Sequence, residues 1–98
     1  MNLLKKARYG EVRGVELLAD HPEVRLVLFS LQAGQEVRGK GEPRVHLLCL
    51  EGEGTLWAGE RSIPATPGTL LAAEPGEAHG AKAGEGTFLV LGIITPRP

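Results

Sequence analysis

At 98 residues, with 42% hydrophobic and 23% charged positions, the chain can build one modest core and not two, so it reads as one globular domain rather than a disordered segment. Eleven Lys and Arg against twelve Asp and Glu give a net charge of -1 without a basic block, which excludes the electrostatic footprint of a nucleic-acid-binding surface. No stretch approaches the ~20 apolar residues of a membrane span, and Lys5 and Lys6 are not followed by an apolar run with a cleavage-like end, so the expected location is the cytoplasm and no membrane partner is expected. Cys49 is the only cysteine, which rules out an intrachain disulfide and leaves a small buried hydrophobe on a strand as its expected role.

In chain order, a helical turn is predicted near residues 3–8, then strands over residues 15–18, 24–31 (VRLVLFSL), 35–38, 45–50 (VHLLCL), 54–58, 61–63, 69–73 and 87–94 (TFLVLGII). Fourteen glycines and seven prolines fall between these apolar runs as punctuation, with turn signals at Gly52-Glu53-Gly54, Gly59-Glu60 and Pro75-Gly76. Many short strands separated by turns predict an antiparallel all-β sandwich or barrel. The division expected is an N-terminal arm over residues 1–23 and a barrel over residues 24–95. Runs such as LLCL and FLVLGII are apolar on both faces, so something must cover the second face. A second copy of the chain is the favoured cover, and a homodimer is expected. One asparagine, Asn2, two glutamines, Gln32 and Gln35, and charges dominated by Arg and Glu give a composition similar to that of some thermophile proteins.

From Gly68 the sequence runs GTLLAAEPGEAHGAKA: a glycine, an apolar strand, a Pro-Gly turn and a histidine three residues past the turn glycine. This resembles the second motif of the cupin family, G-x5-P-x-G-x2-H-x3-N, with Gly68, Gly76 and His79 in register. Glu74 stands at the family's proline, with Pro75 beside it, and Ala83 replaces the terminal asparagine. The first motif, G-x5-H-x-H-x3,4-E-x6-G, would lie between Gly34 and Gly54, and there the flanks resemble the family while the ligand positions do not. Counting forward from Gly34, those positions hold Lys40, Glu42 and His46. Counting back from Gly52, Val45 stands at the glutamate and Gly41 at the second histidine. The backward count rests on an ungapped strand and is the preferred one. The chain is thus identified as similar to small single-domain cupins of the conserved-barrel type with a degraded first motif. That resemblance implies an antiparallel double-stranded β-helix, or jelly-roll barrel, and an imidazole of His79 pointing into it. Enzymatic and non-enzymatic chemistry both occur on this fold, so whether the chain is a catalyst stays open.

Two readings of the site follow. In the first, the barrel mouth binds a small polar or anionic molecule without a complete metal site, using His79 and His46, with Lys40 or Arg38 supplying fixed positive charge and Trp57 a stacking surface. In the second, Glu42, His46 and His79 converge as a two-histidine, one-carboxylate set for a divalent transition metal (Fe, Mn, Ni or Zn), and the protein is an oxygenase or isomerase. On the backward count His46 follows the ligand position and, by the period of two along a strand, faces away from the pocket. The third histidine, His21, lies in Asp20-His21-Pro22 and reads as a solvated loop residue.

Overall fold

The computed structural model describes residues 1–96. Its elements are a short 3-10 turn at Leu3–Lys6 and seven strands: β1 Gly14–Asp20, β2 Arg25–Leu31, β3 Glu36–Lys40, β4 Arg44–Ala58, β5 Arg61–Ala65, β6 Leu70–Ala73 and β7 Ala78–Thr95. Every pairing is antiparallel: the sheet runs β1-β2-β7-β4-β5, with β3 added on β7 and β6 on β4. The turn at the N-terminus forms because Asn2 Oδ1 accepts hydrogen bonds from the N–H groups of Leu4 (3.0 Å) and Lys5 (3.4 Å), satisfying donors that a first turn leaves open. Among the described residues no helix is long and apolar enough to cross a membrane.

Two strands organise the barrel. β4 has 15 residues and β7 has 18, and they pair with each other from Arg44↔Thr95 to Ala58↔His79. The first half of β4 and the second half of β7 join β2 and β6 in one wall; their other halves join β5 and β3 in the facing wall. Residues 52–54, expected to form a turn between two strands, instead bend one continuous strand. Register shifts between Cys49 and Glu51 and between Gly52 and Gly54 turn the chain around the barrel corner without reversing it, as β-bulges do. Gly52 takes φ +80°, and a Cβ there would run into the Thr87 carbonyl. A side chain on Gly54 would meet the Lys82 carbonyl and the Phe88 ring. Only glycine allows the two walls to meet at this edge.

The core lies between the walls. Leu31, Val45, Leu47, Cys49 and Val90 from one wall and Val37, Leu56, Ala58, Ala81 and Ala83 from the other form one buried cluster, with Phe88 wholly enclosed at the corner. The inward residues alternate along each strand, as the period of two requires. On the outer face of the first wall the N-terminal segment is tied down where the Arg8 N–H donates to the Oγ of buried Ser30 (3.0 Å) and the Gln35 side-chain amide donates to the carbonyls of Gly10 (2.8 Å) and Glu11 (3.0 Å). Leu28 and Leu89 are buried on this same outer face. Farther along it Leu26, Leu48, Leu50 and Ile93 are only half-buried, and Leu70 is 55% exposed.

Candidate functional site

At one end of the barrel the turn before β7 delivers His79. Gly76, at φ +86°, makes the turn, and its N–H donates to the Gly41 carbonyl (2.7 Å), tying this turn to the one between β3 and β4. Glu77 holds the turn from inside: its Oε1 accepts from the Glu74 N–H (2.8 Å) and from the Arg61 guanidinium (3.0 Å). His79 then falls on the same face of β7 as core residues Ala81 and Ala83, so its imidazole faces the barrel interior. It lies opposite Gly39 of β3, and a Cβ on that glycine would sit 2.8 Å from His79 Nε2. The bare backbone of Gly39 is what makes room for the ring. His79 Nδ1 is 3.4 Å from the Glu77 carbonyl, and Nε2 lies toward Gly39 at the cavity, where it donates to a ligand in the form that carries its proton there.

The space beside the ring is a cavity of about 220 Å³ lined by Gly39, Lys40, Gly41, Pro43, Val45, His79 and Ile94. Among the described residues no carboxylate lines it. Three acidic groups around it are held by arginines, Glu74 by Arg44 (3.0 Å), Glu77 by Arg61 (3.0 Å) and Glu36 by Arg38 (3.1 Å), while Glu42, between Gly41 and Pro43, is exposed. Lys40 lines the cavity from the last position of β3 and makes no ion pair among the described residues; with Val37 and Gly39 inward, alternation turns its side chain to the outer side of the rim.

Of the residues singled out from sequence, Lys40 and His79 are brought together and the others are not. Val45, Leu47 and Cys49 of β4 are buried in the core, so His46 between them is on the outer face, half-buried beside Ala72 and Ile93. Glu42 is exposed in the turn between β3 and β4 and does not line the cavity. Trp57 likewise lies between buried Leu56 and Ala58 and faces outward. Its ring covers Gly80, where a Cβ would collide with Trp57 Cζ2, and the Arg38 guanidinium stands 5.8 Å from the ring centroid in a cation–π contact. His21 is exposed between β1 and β2. Gly39 and Ile94 escaped notice in the sequence because they join the site through cross-strand register, which no local pattern encodes.

No protein-family model and no curated protein matches the chain. Solved structures do. An RmlC-like cupin protein from Desulfovibrio desulfuricans is 32% identical, with a TM-score of 0.87 over 98% of this chain and 94% of the other. The chain belongs to the cupin family. The cupin barrel is also similar over its whole length to the protein TT1209 from Thermus thermophilus, with a TM-score of 0.92 at 26% identity over 97% of that chain. A cupin 2 conserved barrel domain protein from Leptotrichia buccalis shares the fold at 20% identity and a TM-score of 0.86, this chain spanning 47% of its length.

Cupin metal centres gather several imidazoles and a carboxylate, and the residues of this cupin do not fit one. Among the described residues no three His, Cys, Asp or Glu side chains come together as a metal-binding group. Where a partner to His79 would stand in the cavity there is buried Val45; Glu74 and Glu77 are engaged by arginines, and Glu42 is exposed and does not line the cavity. A single imidazole does not supply the three or four donors that a divalent transition metal takes from protein.

Cys49 is 1% exposed in the core of the cupin barrel, and burial pushes its thiol above the ordinary range. Its reactive thiolate is therefore scarce at neutral pH as well as inaccessible. Native protein is expected to leave a disulfide reagent such as DTNB unreacted, with one thiol released per chain only on adding denaturant. Rapid reaction of the native protein would show that this part of the core opens readily.

Proposed function

We propose that this cupin binds a small polar or anionic molecule at the barrel mouth, without a complete metal site, through Lys40 and His79. The single observation that carries the reading is the imidazole of His79 facing a cavity that no carboxylate lines among the described residues, with Lys40, which makes no ion pair among them, at its rim. An anion at the rim takes charge-assisted hydrogen bonds from the ammonium and, where His79 Nε2 carries a proton, a hydrogen bond from the imidazole, in a site walled partly by apolar groups where such bonds are stronger than in water. Binding and orientation are all that these two groups perform in this reading. The expected result is a rise in thermal midpoint with acetate or formate, equivalent to about 2.7 kcal/mol at a hundredfold excess over Kd. That rise should be lost in Lys40→Met and in His79→Ala. Elemental analysis after mild purification should give far less than one transition metal per chain; near one equivalent would overturn the reading, as would anion stabilisation unaffected by either substitution.

The partner in this reading is a second copy of the chain. The outer-face strip of Leu26, Leu48, Leu50, Leu70 and Ile93 around His46 is apolar and incompletely covered by the N-terminal segment. Pairing two such faces about a two-fold axis would cover both with one interface. The mass expected by light scattering is twice the 10.4 kDa of the chain, about 21 kDa. A monomer mass down to low micromolar concentration would refute the pairing.

A further inference from the structure

The two ring nitrogens of His79 have different neighbours. Nδ1 lies 3.4 Å from the Glu77 carbonyl, whose oxygen can only accept, so that contact is a hydrogen bond when Nδ1 carries a proton. Nε2 lies toward Gly39 at the cavity, 2.8 Å from where a Cβ on that glycine would be. We infer that the mouth takes up its anion together with a proton from solvent, which His79 binds, so that the site fills as pH falls and empties as it rises; this rests on the reading of the mouth as an anion site. A neutral imidazole has one proton for two nitrogens. On Nδ1, that proton leaves the Nε2 lone pair facing the cavity, where it repels an anion. On Nε2, it leaves the Nδ1 lone pair against the carbonyl oxygen. The imidazolium donates at both ends at once, and an anion at Nε2 therefore selects it. The surrounding groups do not place a charge inside the cavity instead. Around the ring, β3 presents Gly39, β4 presents Val45 and Ala58, and the far end of β7 presents Ile94, none of them ionisable. Lys40 turns its side chain to the outer side of the rim, and Glu42 is exposed in the turn after β3. From the remaining elements, Arg44 is held by Glu74 and Arg61 by Glu77.

The test is titration calorimetry of the full chain with formate at constant ionic strength, from about pH 5 to 8, in pairs of buffers that differ in ionisation enthalpy. Formate stays ionised over this range, so a pH dependence belongs to the protein. Affinity is expected to fall by up to about tenfold per pH unit as pH rises, and the difference between buffers is expected to show uptake of up to about one proton per formate bound. In long-range nitrogen–proton spectra near the upper end of the range, formate should move both His79 ring nitrogens toward imidazolium values while those of His46 and His21 hold. His79→Gln, whose amide donates without titrating, is expected to bind formate with an affinity that does not change with pH. Formate binding that is independent of pH, with no proton taken up by the wild-type chain, would overturn the inference and leave the anion site standing. Wild-type pH dependence retained in His79→Gln would overturn it too, since the proton would then sit elsewhere. No formate binding at any pH would overturn both this inference and the reading on which it rests.

Discussion

Gly52→Ala is expected to destabilise the protein by roughly 3–5 kcal/mol, a large part of the whole stability of a small domain. Two effects combine at this position. The backbone is held at φ +80°, where an L side chain is strained, and the new Cβ would press on the Thr87 carbonyl across the barrel corner. Backbone cannot rotate away as the end of a side chain can, so both strands would have to shift and the β4–β7 pairing would loosen at its bend. Gly34 supplies the control. It also has positive φ, +77°, but a Cβ there would meet nothing within 4 Å, so Gly34→Ala should cost only about 1–2 kcal/mol. Urea unfolding of the two variants separates strain from clash; equal losses would mean that the corner is not closed as described.

The second large effect is expected for Phe88→Ala, at roughly 3–5 kcal/mol. Phe88 is fully buried where β7 enters the first wall, and its ring edge occupies the space left by the missing side chain of Gly54, within 2.8 Å of where a Cβ would be. Truncation leaves a void that the bent backbone of the corner cannot collapse to fill. Leu70→Ala, at a side chain 55% exposed on the outer face, should change the stability of the isolated chain by no more than about 0.5 kcal/mol. A Phe88→Ala variant as stable as Leu70→Ala would place the core elsewhere.

The all-β class and the cupin barrel were legible because they depend on local signals: short β-branched runs, glycine and proline punctuation, and the Gly68 to His79 spacing. The bend of β4 was not. A Gly-Glu-Gly step looks the same whether it reverses a strand or bulges it, and the difference lies with Thr87 and Phe88, more than thirty residues away. The extent of β7 was hidden for a related reason: residues 78–83 are rich in alanine with a glycine and a lysine, and they are strand because β3 and β4 flank them. At the site, the orientation of His46 could be read once Val45, Leu47 and Cys49 were taken as inward, because alternation along a strand leaves no other face. The outward face of Trp57 follows from the same rule applied to Leu56 and Ala58. The apolar wall was beyond reach, since Val45 and Ile94 meet across a register that only the folded sheet sets.

The three histidines allow the most direct test of the binding site, because each occupies a different environment: His79 in the mouth, His46 on the outer face, His21 in a loop. Long-range nitrogen–proton NMR spectra resolve their imidazoles separately, and acetate can be titrated in at constant pH and ionic strength. The His79 ring nitrogens are expected to shift and saturate while those of His46 and His21 stay in place. A saturating shift at His46 with His79 unmoved, or no saturating shift at any of the three, would contradict it.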